Sequence, residues 1–131
     1  LVQILLNAGA DINAPSTDIG CTALQAAAGD TNIELVQILL NAGADVNAPP
    51  ADFIGRTALQ EVAEQGDIEL VQILLDAGAD VNAPPADEGY TALQTAAGNG
   101  NIELVQILLD AGADVNAPPA DTGRTVLQMA A

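Results

Sequence analysis

The sequence predicts an all-α solenoid, a linear stack of similar helix pairs joined by extended or hairpin-like loops. Three observations carry that expectation. The block LVQILL begins at Leu1, Leu35, Leu70 and Leu104, and the block T-x-L-Q begins at Thr22, Thr57, Thr91 and Thr125. Both recur every 34 or 35 residues, the pitch of an array in which each unit is one supersecondary element. Residues 70–87 and 104–121 are identical, LVQILLDAGADVNAPPAD. The chain is therefore divided as one array: a partial unit over 1–21 (second helix and loop), units over 22–56, 57–90 and 91–124, and a partial unit over 125–131 (first helix).

The first helix of each unit opens on Thr-x-x-Gln, as in Thr22/Gln25, Thr57/Gln60, Thr91/Gln94 and Thr125/Gln128. This is capping-box spacing: the Thr hydroxyl accepts an orphan N–H inside the helix, and Gln reaches back to the cap's own N–H. Such a cap contributes about 1 kcal/mol, which matters for helices of two turns that would not persist alone. The helix is expected over Thr91 to about Gly98. A second follows from about Asn101 to Asp110. Asn32, Asp67 and Asn101 are its N-caps, with Glu34, Glu69 and Glu103 placed favourably in the first turn. It stops at Gly43, Gly78 and Gly112, where a left-handed residue closes the helix. Asp76 and Asp110 near those ends oppose the macrodipole slightly.

Burial follows from spacing. Leu35, Val36, Leu39 and Leu40 form one stripe and leave Glu34, Gln37 and Asn41 to water, while Leu24, Ala27 and Ala28 form the stripe of the first helix. Small alanines allow close approach of neighbouring first helices. The stretch ADVNAPPADxGx cannot continue a helix through its prolines, so it is read as a loop turning back at right angles, with a short hairpin as one form.

Composition removes several functional classes. The chain has 131 residues, 18 acidic side chains against 2 arginines and no lysine, a net charge of −16, half hydrophobic residues and 2% aromatics. That is too apolar for a disordered acidic tail. Arg56 and Arg124 alone cannot neutralise phosphates, so neither nucleic acid nor an anionic membrane is an expected partner. With no histidine and Cys21 as the one thiol, disulfides, zinc sites and most nucleophile–base pairs are excluded. No apolar run reaches the ~20 residues of a membrane helix. The opening residues do not read as a signal or transit segment. The lone cysteine and the absence of an N-x-S/T sequon fit an intracellular, cytoplasmic setting.

Residues 91–117, TALQTAAGNGNIELVQILLDAGADVNA, resemble the ankyrin repeat, T-P-L-H-x-A-A-x-x-G followed by V-x-x-L-L-x-x-G-A-D-x-N. The resemblance recurs along the whole chain. Ala23, Ala58 and Ala92 replace the family's proline, and Gln25, Gln60 and Gln94 its histidine. The Pro-Pro loop adds a residue to the usual 33, and Phe53-Ile54 brings one unit to 35. Thr31 stands where other copies have Gly66 and Gly100, so an altered inter-helix turn is expected there. The Gln and Pro-Pro variant is similar to acidic ankyrin arrays of fungal proteins, including NLR-like receptors with an upstream nucleotide-binding module.

The resemblance implies a non-enzymatic module that binds a protein or peptide on a concave face made of loop tips and first helices. Comparison among the copies points to the same region. The positions that differ are Ile19, Phe53, Ile54, Glu88 and Thr122 at the loop tips, and Cys21, Arg56, Tyr90 and Arg124 before the caps. On the first helix they are Ala26, Glu61, Thr95 and Met129, then Gly29, Glu64 and Gly98, then Asp30, Gln65 and Asn99. Glu61, Glu64 and Gln65 share one helix face. Every aromatic side chain and both arginines fall in this set, and such residues dominate binding hot spots. Exposed positions also drift freely where packed ones cannot, so the same pattern fits a structural spacer or a consensus-designed scaffold with no partner. The uneven 35-residue unit argues for a natural sequence.

The remaining features point to no chemistry. Cys21 occupies the slot of Arg56 and Tyr90 and reads as a small loop residue, with no Lys or His nearby to activate it. The acidic loops (Asp45, Asn47, Asp52; Asp80, Asn82, Asp87, Glu88) lack the order and glycine of a calcium loop. No cofactor, metal or catalytic residue is expected. The charge favours basic partners and fast encounter at low salt. Leu1 begins inside a second helix and Ala131 stops inside a first one, so a segment of a longer array, able to self-associate end to end, is expected.

Overall fold

The structure, a computed structural model, describes residues 11–14, 21–50, 56–86 and 89–117. The partial units expected at either end fall largely or wholly outside these residues. Among them lie six helices in three pairs: α1 (Ala23–Gly29) with α2 (Ile33–Asn41), α3 (Ala58–Gln65) with α4 (Ile68–Asp76), and α5 (Ala92–Gly98) with α6 (Ile102–Asp110). The first helices α1, α3 and α5 stand side by side, and each packs against its own second helix. The described loop backbone holds turns, closed for instance by Ala48 N–H donating to the Asp45 carbonyl at 3.3 Å, and no strand. The tips at 51–55 and 87–88, where a hairpin would close, lie outside the described residues.

Each first helix carries the reciprocal cap that Thr-x-x-Gln predicts. Thr57 Oγ1 accepts from Gln60 N–H at 3.2 Å, and Gln60 Oε1 accepts from Thr57 N–H at 3.0 Å. The same box closes α1 and α5. Asn32, Asp67 and Asn101 cap the second helices through the N–H groups of Leu35, Leu70 and Leu104. At the far end Gly43, Gly78 and Gly112 take φ of 95°, 93° and 94°. There Ala79 N–H reaches the Leu74 carbonyl at 3.0 Å, satisfying a carbonyl that would otherwise be orphaned.

The turn at Thr31 corrects an expectation. Its geometry is not altered: Asn32 N–H donates to the Ala27 carbonyl at 3.1 Å, as Asn101 does to Ala96 at 3.0 Å. Thr31 instead adopts the left-handed conformation of its glycine counterparts, with φ 52° beside 78° for Gly66 and 70° for Gly100. For an L-residue this costs roughly 1–2 kcal/mol. The surrounding turn bonds and the Asn32 cap hold it there.

The core is one continuous seam. Leu24, Leu59 and Leu93 from the first helices meet Val36 and Leu39, Leu70, Val71 and Leu74, and Leu104 and Leu108 from the second, all buried. Alanines 27, 28, 58, 63, 92 and 96 lie in the same buried cluster, with Val62 at the position that Ala27 and Ala96 hold, and the small side chains let the elements pack closely. Glu34, Gln37 and Asn41 face water as the spacing predicts.

A second tie runs along the loops. Asp80 N–H donates to Asn47 Oδ1 at 2.7 Å while Asn47 Nδ2 donates to the Gly78 carbonyl at 3.0 Å. Asn82 repeats this on Asp114 N–H and the Gly112 carbonyl, and Asn13 accepts from Asp45 N–H. Each asparagine thus binds one unit to the next. Because these groups are exposed, water can replace them. Asn82→Ala is expected to lower stability by about 1 kcal/mol in urea unfolding, without loss of helix signal.

Candidate functional site

The first-helix face is built by the stacking itself. With α1, α3 and α5 side by side, equivalent positions of successive units form rows. One row is Ala26, Glu61 and Thr95; the next is Gly29, Glu64 and Gly98; the third is Asp30, Gln65 and Asn99. Ala26, Asp30, Glu64, Gln65, Gly98 and Asn99 are exposed, Gly29 and Glu61 half-buried. Thr95 departs from the expectation of an exposed row: it retains 7% of its surface and belongs with the packed positions.

Neighbouring units meet on this face. Glu61 of α3 lies over Gly29 of α1, close enough that a Cβ at Gly29 would stand 3.5 Å from Glu61 Cγ. Glu61 also pairs with Arg56, Nη1 to Oε2 at 3.4 Å. In sequence the two are separate candidate contact residues; the structure brings them into one ion pair beside the Thr57 cap. With side-chain exposures of 43% and 25% the pair is worth little to stability, ~0–1 kcal/mol. It does give Arg56 a partner, so the charges outside the ion pair on the described first helices and their turns are the acidic Asp30, Glu64 and Asp67.

Cys21 and Tyr90, in the slot of Arg56, are both half-buried. Ile19, Phe53, Ile54, Glu88, Thr122, Arg124 and Met129, the other expected contact residues, lie outside the described residues.

One role escaped the sequence reading. Gln25 Nε2 donates to the carbonyls of Ala48 and Pro49 at 3.0 and 3.1 Å, and Gln60 Nε2 to those of Ala83 and Pro84 at 3.1 and 3.3 Å. The amide oxygen caps the helix while the amide nitrogen fastens the loop that follows the second helix. A signal was available: once Oε1 is committed to the cap, the amide still carries two N–H donors that a buried position must satisfy. This clamp sets where the loop leaves the helices, and so where the loop side of the face stands.

Among the described residues no three His, Cys, Asp or Glu side chains converge as a cation site, and no helix is long and apolar enough to cross a membrane. A cleft of about 170 Å³ lies between successive loops, bounded by Asn82, Pro84, Pro85, Thr91, Asp114 and Ala117. Ligand pockets run from ~300 Å³ upward, and this cleft is smaller.

A family model described as "Ankyrin repeats (3 copies)" matches residues 1–85 and 78–131. No curated protein matches the chain.

Proposed function

The chain belongs to the ankyrin-repeat family, and from that premise we propose that its first helices and loops form a contact face for a protein or peptide rich in basic residues. Ankyrin repeats are generally protein–protein interaction modules and typically not enzymes. The observation that supports the face is the division between copies. Along the first helices Leu59, Gln60 and Ala63 repeat without change and are buried, whereas the changing positions, Val62 and Thr95 apart, gather in rows that are exposed or half-buried. The charge supports the chemistry: the net −16 is distributed over a surface whose described arginine is already paired. A cationic partner is drawn to such a field and an anionic one repelled.

The test uses the full chain as bait against a displayed peptide library. Lys/Arg-rich sequences are expected to be recovered. Glu61→Lys with Glu64→Lys should weaken their binding at least about tenfold while far-ultraviolet circular dichroism stays unchanged. Raising salt should weaken binding to the original chain in the same direction. Equal recovery by both baits would favour a spacer that binds nothing through this face.

A finer reading concerns context. The Gln and Pro-Pro variant of the motif supports a place among acidic fungal arrays, in a larger scaffold or NLR-like receptor. The single cysteine and the lack of a sequon support an intracellular site.

A further inference from the structure

The copies are close enough to act as controls for one another. Residues 22–52 and 91–121 differ only at Ala26/Thr95, Asp30/Asn99, Thr31/Gly100 and Asn41/Asp110. Their inter-helix turns make the same bonds: Thr31 N–H to the Ala28 carbonyl at 3.1 Å, and Gly100 N–H to the Ala97 carbonyl at 3.1 Å. Yet φ is 52° at a β-branched residue in one and 70° at glycine in the other. In the described backbone Thr31 is the one residue other than glycine with positive φ.

From this contrast we propose that the Thr31 turn makes the α1–α2 pair a strained joint, which opens locally more readily than it would with glycine and does so without unfolding the rest of the stack. The strain is released only when the turn gives up its left-handed residue, and that frees the Asn32 N–H bond to Ala27 and the cap on α2 together. A repeat array couples mainly nearest neighbours, so a weakness in one pair is felt there first. The device is independent of what the face binds.

Hydrogen–deuterium exchange of the full chain, read by mass spectrometry on peptides covering each pair, tests it with a reciprocal exchange of residues. Thr31→Gly is expected to slow exchange over residues 23–41 by about tenfold and to leave residues 92–110 nearly unchanged. Gly100→Thr should speed exchange over residues 92–110 by a similar factor and spare 23–41. If either substitution shifts protection equally in all three pairs, the strain acts on global unfolding and there is no local joint. If neither changes protection, the threonine is not strained. Both outcomes overturn the proposal.

Discussion

Replacing Leu70 with alanine is expected to lower the stability of the array by about 3 kcal/mol, whereas the same change at Leu35 should cost roughly half as much. The two leucines hold the same place in the LVQILL block. Leu70 is fully buried in the central unit and Leu35 is only half-buried. If cohesion comes from contacts between neighbouring pairs, the loss must follow burial, since transfer and cavity terms both scale with surface removed from water. Urea unfolding of the two variants beside the original chain makes the comparison. Equal losses would mean that stability resides within isolated helix pairs and that the stack adds nothing.

Gln60→Ala is expected to lower stability by about 3 kcal/mol, far more than a surface glutamine would. Gln60 is 2% exposed and makes three side-chain bonds, accepting from Thr57 N–H and donating to the Ala83 and Pro84 carbonyls. Truncation strips a buried N–H and two carbonyls of their partner at once, each worth about 1–3 kcal/mol where water cannot enter. Gln60→Glu should be worse at neutral pH. It keeps the acceptor for the cap but turns a donor into an anion facing two carbonyl oxygens. Gln37→Ala and Gln72→Ala, at exposed positions, serve as references and should stay within about 0.5 kcal/mol of the original. Thermal and urea unfolding give the ranking. A Gln60→Ala chain as stable as the Gln72→Ala chain would remove the clamp from the account of the fold.

Much of the architecture is legible because it is repeated. One LVQILL block is an apolar run that could belong to many folds; four at a fixed pitch demand units that seal one another. The helix limits were readable to within a residue because Thr, Asn and Asp at the starts and Gly at the ends act on backbone groups a few positions away. Gly78 closes α4 as its neighbours in sequence require. The candidate face was legible only as a set of changing positions. Arg56 and Glu61 were both in that set, but their pairing was not foreseen, nor was the loss of Thr95 to the interior.

By itself, then, the sequence determined the pitch, the helix pairs, their caps and the stripe each pair hides, since these depend on interactions spanning a few residues or one period. The tertiary structure decided what lies between periods. It gave Gln25 and Gln60 a loop to hold, set Glu61 over Gly29, made the asparagines a tie between units and kept Thr31 in a glycine's conformation. Each of these joins atoms from separate segments or holds a local geometry against its own preference. That becomes possible only after the stack has brought the segments together and the surrounding bonds outweigh the local cost.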